Sequence, residues 1–263
     1  MNWVSLLRCG FWLNARLAGG FNQRMVSRGG MILLGAVVCV TLVAGCDRKP
    51  VTTEGKTSDL ISVTKEKAEN GDADAQYRLG LMFANEDGVP LSPTEAVDWY
   101  RKAAEQGHVQ AQIHLGECYL AGTGVSAEPA KAARWFMSAA EKGDVASQNR
   151  VGAMFDLGLG LPQDPLDASV WYRRAAERGL AEAQSNLGSL YVTGRGVPRD
   201  LVEAFKWLSL ADKQGYQRDS AKLNEATQEL TAAQLAEARR RIASFVATKE
   251  PKPFALAGNF SLS

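Results

Sequence analysis

The sequence predicts an all-α fold: an α-solenoid of four 36-residue antiparallel helix-pair repeats, closed at its carboxy end by capping helices. Three sets of columns predict it. Gly71, Gly107, Gly143, Gly179 and Gly215 recur without slippage, as do Trp99, Trp135, Trp171 and Trp207. Gln76, Gln112, Gln148 and Gln184 keep the same step. A fixed period of this length marks a repeat architecture, in which each unit buries its apolar face only by stacking on its neighbours.

The chain begins with an address. Met31–Gly45 is a 15-residue stretch without a charge, preceded by Arg24 and Arg28 and followed by Cys46. A spanning helix needs about 20 predominantly apolar residues, and basic-then-apolar-then-small is the order of a secretory signal. Residues 1–45 are therefore read as a signal peptide, with either Met1 or Met25 as its start. Residues 46–64, rich in Thr, Ser and Lys, read as a flexible tether.

Within residues 65–214 each unit reads as two helices. Ala75, Leu79, Met82 and Phe83 fall at helical spacing on one apolar face, and every later unit repeats them in kind. A glycine embedded in this helix, Gly80 and its equivalents, costs about 1 kcal/mol relative to alanine, so its recurrence implies close approach of a neighbouring helix. Gly-x-Gly turns follow at Gly122, Gly158 and Gly194; the first unit has Glu86 in that slot, and a different turn is expected there. The second helix opens at Ser92-Pro93, Glu128-Pro129, Asp164-Pro165 and Asp200, where Ser or Asp caps free amides and proline suits the first position. Its buried stripe is Ala96, Trp99, Tyr100 and Ala103. Residues 215–248 are expected to cap the array, with Thr231 opening the last helix, and 249–263 to form a flexible tail.

These motifs resemble known families. Leu42-Val43-Ala44-Gly45-Cys46 resembles a bacterial lipobox, which implies acyl chains on Cys46. Each chain contributes about 0.8 kcal/mol per buried methylene, so several anchor firmly. Asp47 resembles an inner-membrane retention signal, which favours the inner membrane over the outer. The pattern Gly-x-Ala-x-Ala-Gln-x-x-Leu-Gly, Gly-x-Gly-Val and Ala-x-x-Trp-Tyr-x-x-Ala-Ala resembles Sel1-like repeats, relatives of the tetratricopeptide repeat. That resemblance implies an adaptor or scaffold on the periplasmic side of a membrane, bound to another envelope protein. It leaves open a component of an exopolysaccharide export or cell-wall machine, or a periplasmic inhibitor of a sensor protein.

Composition narrows the chemistry. The chain carries 30 Lys+Arg against 29 Asp+Glu, and its only charges before Asp47 are four arginines. From Asp47 onward the chain is mildly acidic, unlike the basic stripe of a nucleic-acid binder. With Cys46 acylated, Cys118 is the one thiol left beyond the signal, and no disulfide framework is expected. His114 and Cys118 lie four apart, but Met82, Met154 and Leu190 share the Cys118 column, so it reads as core and no metal is expected. No phosphate loop, Ser/His/Asp set or Cys-x-x-Cys pair is present, and neither an enzyme nor a cofactor is expected.

Binding is expected where outward columns vary between repeats. Arg78 and Leu81 begin one stripe, continued by His114, Glu117, Arg150 and Asn186, with Tyr77 and Ile113 beside it. By resemblance to related solenoids, first helices line the concave side, the usual binding surface. Arg78, His114 and Arg150 are read as a basic column that grips an acidic segment of a partner.

Overall fold

The structure is a computed structural model that describes the backbone of residues 53–248 and the side chains of 59–248; the signal, Cys46 and the tail lie outside the described residues. Helix α1 (Thr53–Glu69) precedes four helix pairs. These are α2 (Ala73–Asn85) with α3 (Pro93–Glu105), α4 (Val109–Ala121) with α5 (Pro129–Glu141), α6 (Val145–Leu157) with α7 (Pro165–Glu177), and α8 (Ala181–Thr193) with α9 (Leu201–Lys213). Helices α10 (Ser220–Glu229) and α11 (Ala232–Ala243) follow. Each helix packs on the next in chain order through α10, which is the connectivity of an α-solenoid.

The pairs are held by a size match. A Cβ on Gly80 would lie 2.6 Å from the Tyr100 ring. The equivalent distances are 2.9 Å from Gly116 to Phe136, 2.7 Å from Gly152 to Tyr172, and 2.7 Å from Gly188 to Leu208. The embedded glycines thus let a bulky side chain of the second helix lie against the first helix's backbone. Successive pairs are joined by the glutamine column. The Nε2 of Gln76, Gln112, Gln148 and Gln184 donates to the carbonyls of Ala68, Ala104, Ala140 and Ala176, each at 3.1 Å and buried. A hydrogen bond of this kind contributes about 1 kcal/mol net, and here it recurs at every junction.

The turns explain a second column. Gly122, Gly158 and Gly194 end their helices in the left-handed region and donate their N–H groups to the carbonyls of Cys118, Met154 and Leu190. Contrary to the sequence expectation, the first unit makes the same turn: Glu86 adopts φ 58° and donates to Met82. A side chain is tolerated there at a backbone cost of about 1 kcal/mol. Glu86→Gly is accordingly expected to stabilise the fold by about 1 kcal/mol, read from chemical denaturation.

Two further readings need correction. Residues 53–64, assigned to the tether, are helical: Ile61, Thr64 and Ala68 recur at helical spacing and bring α1 onto α2. Their polar surroundings hid that pattern. The tryptophan column is not uniformly core, since Trp171 and Trp207 are buried while Trp99 and Trp135 are half-exposed. At Trp207 the reason is the carboxy-terminal segment, whose Phe245 packs edge-on at 5.4 Å. The terminal helices α10 and α11 pack differently from the two helices of a repeat. Thr231 forms a capping box with Gln234, and α11 then packs against α9 rather than along α10. Beyond it Thr248 donates its N–H to the Glu177 carbonyl at 2.9 Å.

Candidate protein-binding surface

The first helices carry a partly exposed strip that crosses the junctions between repeats. Tyr77 on α2 lies between the two imidazoles of the chain, with ring centres 4.6 Å from His108 and 5.6 Å from His114. His114 also stacks on Tyr100 at 5.4 Å. His108 caps α4, its Nδ1 accepting the Ala111 N–H at 3.1 Å. Its Nε2 sits 3.1 Å from the Asp74 carboxylate, so the neutral imidazole serves both contacts if Nε2 carries the proton. From sequence Tyr100 was identified only as a core residue, and the cap at His108 was not identified. Asp72 and Asp144 occupy the equivalent cap positions and could have revealed the latter.

Glu117 joins two members of the expected basic column. His114 Nδ1 lies 3.4 Å from its carboxylate and Arg150 lies 2.9 Å from it. Arg150 is also held over the Phe136 ring at 4.9 Å. The column is therefore compensated rather than uniformly basic, because its next outward position falls between His114 and Arg150. The His114 hydrogen bond, followed by Arg150, holds the Glu117 carboxyl below its ordinary range against the opposing effect of burial.

A carboxylate held low contributes stability above its unfolded titration range, and that contribution is lost as pH falls through the lowered folded value. The pair is partly exposed, so the effect is expected to stay below about 1 kcal/mol. Thermal melts of wild type and Glu117→Gln should converge on acidification.

Other predicted residues sit apart. Arg78 is exposed and Leu81 half-buried, and both line a cleft of about 950 Å³ between α1 and α2. Ile113 packs part-buried against the core. Asn186 donates to Asn149 at 3.0 Å, again joining adjacent first helices. Asn186 also lines a separate hollow of about 210 Å³ with Asp156, Arg195 and Arg218. Thus Tyr77, His114, Glu117 and Arg150 form one connected group, while Arg78 with Leu81 and Asn186 lie at opposite ends of the strip.

Cys118 is a free, half-buried thiol pushed up to about 11, mainly by burial. Among the described residues no group of three or more His, Cys, Asp or Glu side chains could hold a metal ion, and no helix is long and apolar enough to cross a membrane.

Comparison with known proteins places this geometry. The Sel1 repeat model matches residues 73–108, 109–144, 145–180 and 181–216, more than half of the chain. A protective antigen present in uropathogenic Escherichia coli strains, whose crystal structure displays an SLR fold, is 32% identical with a TM-score of 0.61. The match covers 76% of this chain and 45% of that one. A Sel1 repeat protein from Oxalobacter formigenes is 36% identical with a TM-score of 0.56, over 58% of this chain and 63% of that one. The chain therefore matches less than two thirds of the length of either structure. No curated protein matches it. Sel1 repeat proteins are generally protein-interaction scaffolds without catalytic activity. Four consecutive matched units, stacked as an all-helical solenoid, make this chain a member of the Sel1 repeat family.

Proposed function

We propose that this chain is an envelope scaffold, anchored to the periplasmic side of a membrane through acyl chains on Cys46, that holds a protein partner in the groove along its first helices. The carrying observation is the connected strip of Tyr77, His114, Glu117 and Arg150, flanked by Ile113. Aromatic rings and arginine dominate the energetics of protein interfaces. Here they are fixed by contacts between repeats, so less ordering remains to be lost on binding. Arg78 and Leu81 extend the strip at one end and Asn186 at the other. We assign no catalytic role, metal or cofactor: Glu105, Glu141 and Glu177 close successive second helices, a place dictated by the fold.

Anchoring rests on the lipobox-like run ending at Cys46, with Asp47 favouring the inner membrane. The similarity to a protective antigen is in keeping with an envelope location. Cys46→Ser is expected to abolish metabolic lipid labelling and to leave an unprocessed precursor. A labelled band of unchanged intensity would refute lipidation at this residue. Partner binding is tested by co-purification from intact cells with an Ile113→Asp/Arg150→Glu variant checked for folding by circular dichroism. The partner should be lost from that variant; equal recovery would place binding elsewhere.

A further inference from the structure

The two ends of the array are complementary halves. Helix α1 stands in the register of a second helix: the Ala68 carbonyl accepts Gln76 as the Ala104, Ala140 and Ala176 carbonyls accept their glutamines. By the same count Leu60 occupies the place of buried Ala96, and Thr64 the place of Tyr100. In each of the four pairs such a helix lies against the first helix of its own unit. Beside α1 that place is the open cleft of about 950 Å³. At a helix diameter of about 10 Å and a rise of about 1.5 Å per residue, this accommodates roughly two turns of helix. Leu60 is left 65% exposed and Val63 45% exposed.

Helix α10 is the converse. Gly215 continues the glycine column, and the Tyr216 N–H bonds the Ala211 carbonyl as the His108 N–H bonds Ala103 and the Leu180 N–H bonds Ala175. Helix α10 is thus a first helix, packed on α9, but α11 leaves the position of its second helix uncovered. Asn224, Glu225 and Thr227 on it are exposed.

We propose that copies of this chain associate head to tail, α10 of one copy seated in the cleft beside α1 of the next to complete a helix pair. The residues fit by size and by charge. Within each pair an embedded glycine faces Tyr100, Phe136, Tyr172 or Leu208. In the composite pair both sizes change together, with Asn224 at the glycine position and Thr64 at the aromatic one.

Between successive first helices, Arg150 reaches Glu117 in the preceding repeat at 2.9 Å. Arg78 occupies the Arg150 position in the first repeat, and the residue of α10 in the Glu117 position is Glu225. The contact is heterologous, so it propagates as a row unless rotation closes it into a ring. It deepens the scaffold reading by assigning Arg78 and Leu81, at one end of the strip, to a second copy. It rests on that reading only for those two residues.

The test uses the full-length chain. In cells, an Arg78→Cys/Glu225→Cys variant exposed to a mild oxidant should give a ladder of crosslinked multiples of this chain, absent from either single variant. For the detergent-solubilised chain, sedimentation velocity over a concentration series should show mass rising above that of one copy. Arg78→Glu or Glu225→Arg alone should weaken association by roughly tenfold, and Arg78→Glu/Glu225→Arg should restore it. A single monomeric species at every concentration, or single variants that associate as wild type does, would overturn the proposal. So would crosslinks from position 78 solely to a different protein, which would give the cleft to a partner helix. The Ile113→Asp/Arg150→Glu variant separates the two readings, since it should still self-associate while losing the partner.

Discussion

Gly160→Ala is expected to destabilise the protein by about 2–4 kcal/mol, whereas Gly158→Ala in the same turn costs about 1 kcal/mol. Both glycines have positive φ, 74° and 68°. The difference is what a side chain would meet. A Cβ on Gly160 would lie 2.3 Å from the Pro129 carbonyl carbon and oxygen, so the turn must leave the amino terminus of α5. On Gly158 the nearest atom is the Gln163 Cβ at 3.2 Å, and Glu86 shows that this slot takes a side chain. Gly196 faces the Pro165 oxygen at 2.0 Å and Gly124 the Pro93 oxygen at 2.3 Å, so their variants should behave like Gly160→Ala. Urea denaturation of the three pairs of variants would check the ordering.

Phe136→Ala is expected to cost about 3–5 kcal/mol, the range for an aromatic side chain removed from a packed core. Phe136 is fully buried, and its ring fills the space that Gly116 leaves open. The glycine gives the prediction its sharper form. In wild type, Gly116→Ala brings a Cβ to 2.9 Å from the ring and should destabilise. In the Phe136→Ala background that obstacle is gone, and the same substitution should stabilise by about 1 kcal/mol through helix propensity alone. A change of sign across the double-mutant cycle identifies the pair as the unit of packing.

The repeat was legible because a repeated physical demand leaves a repeated residue. The embedded glycines answer the same contact four times, and the paired aromatics and turn glycines three times each, so their columns mark the helices and turns. The glutamine column was equally visible, but its purpose was not. A recurring amide says that a bond recurs without saying that its acceptor is the carbonyl eight residues earlier. Helix α1 was missed for the opposite reason. As half a unit it retains Ala68 but carries Leu60 where the four units have Ala, and Thr64 where three of them have an aromatic and the fourth Leu208.

The candidate surface was partly legible. Outward positions follow from helical spacing, which placed Arg78, His114, Glu117 and Arg150 on one stripe. Spacing along a helix does not give the reach between helices, however. Arg150 meets Glu117 across a repeat junction, and the apparent basic column becomes a compensated strip. The stacking of Tyr77 between His108 and His114 depends equally on how α2 and α4 lie together.

The scaffold account is tested most directly by a photo-crosslinking residue placed in living cells at Ala153, half-buried on α6 in the Glu117 column, and separately at Arg134, exposed on α5. The account predicts a discrete adduct with a second protein from position 153 and none from position 134. An adduct from position 134 alone would contradict it and move the binding surface to the second helices.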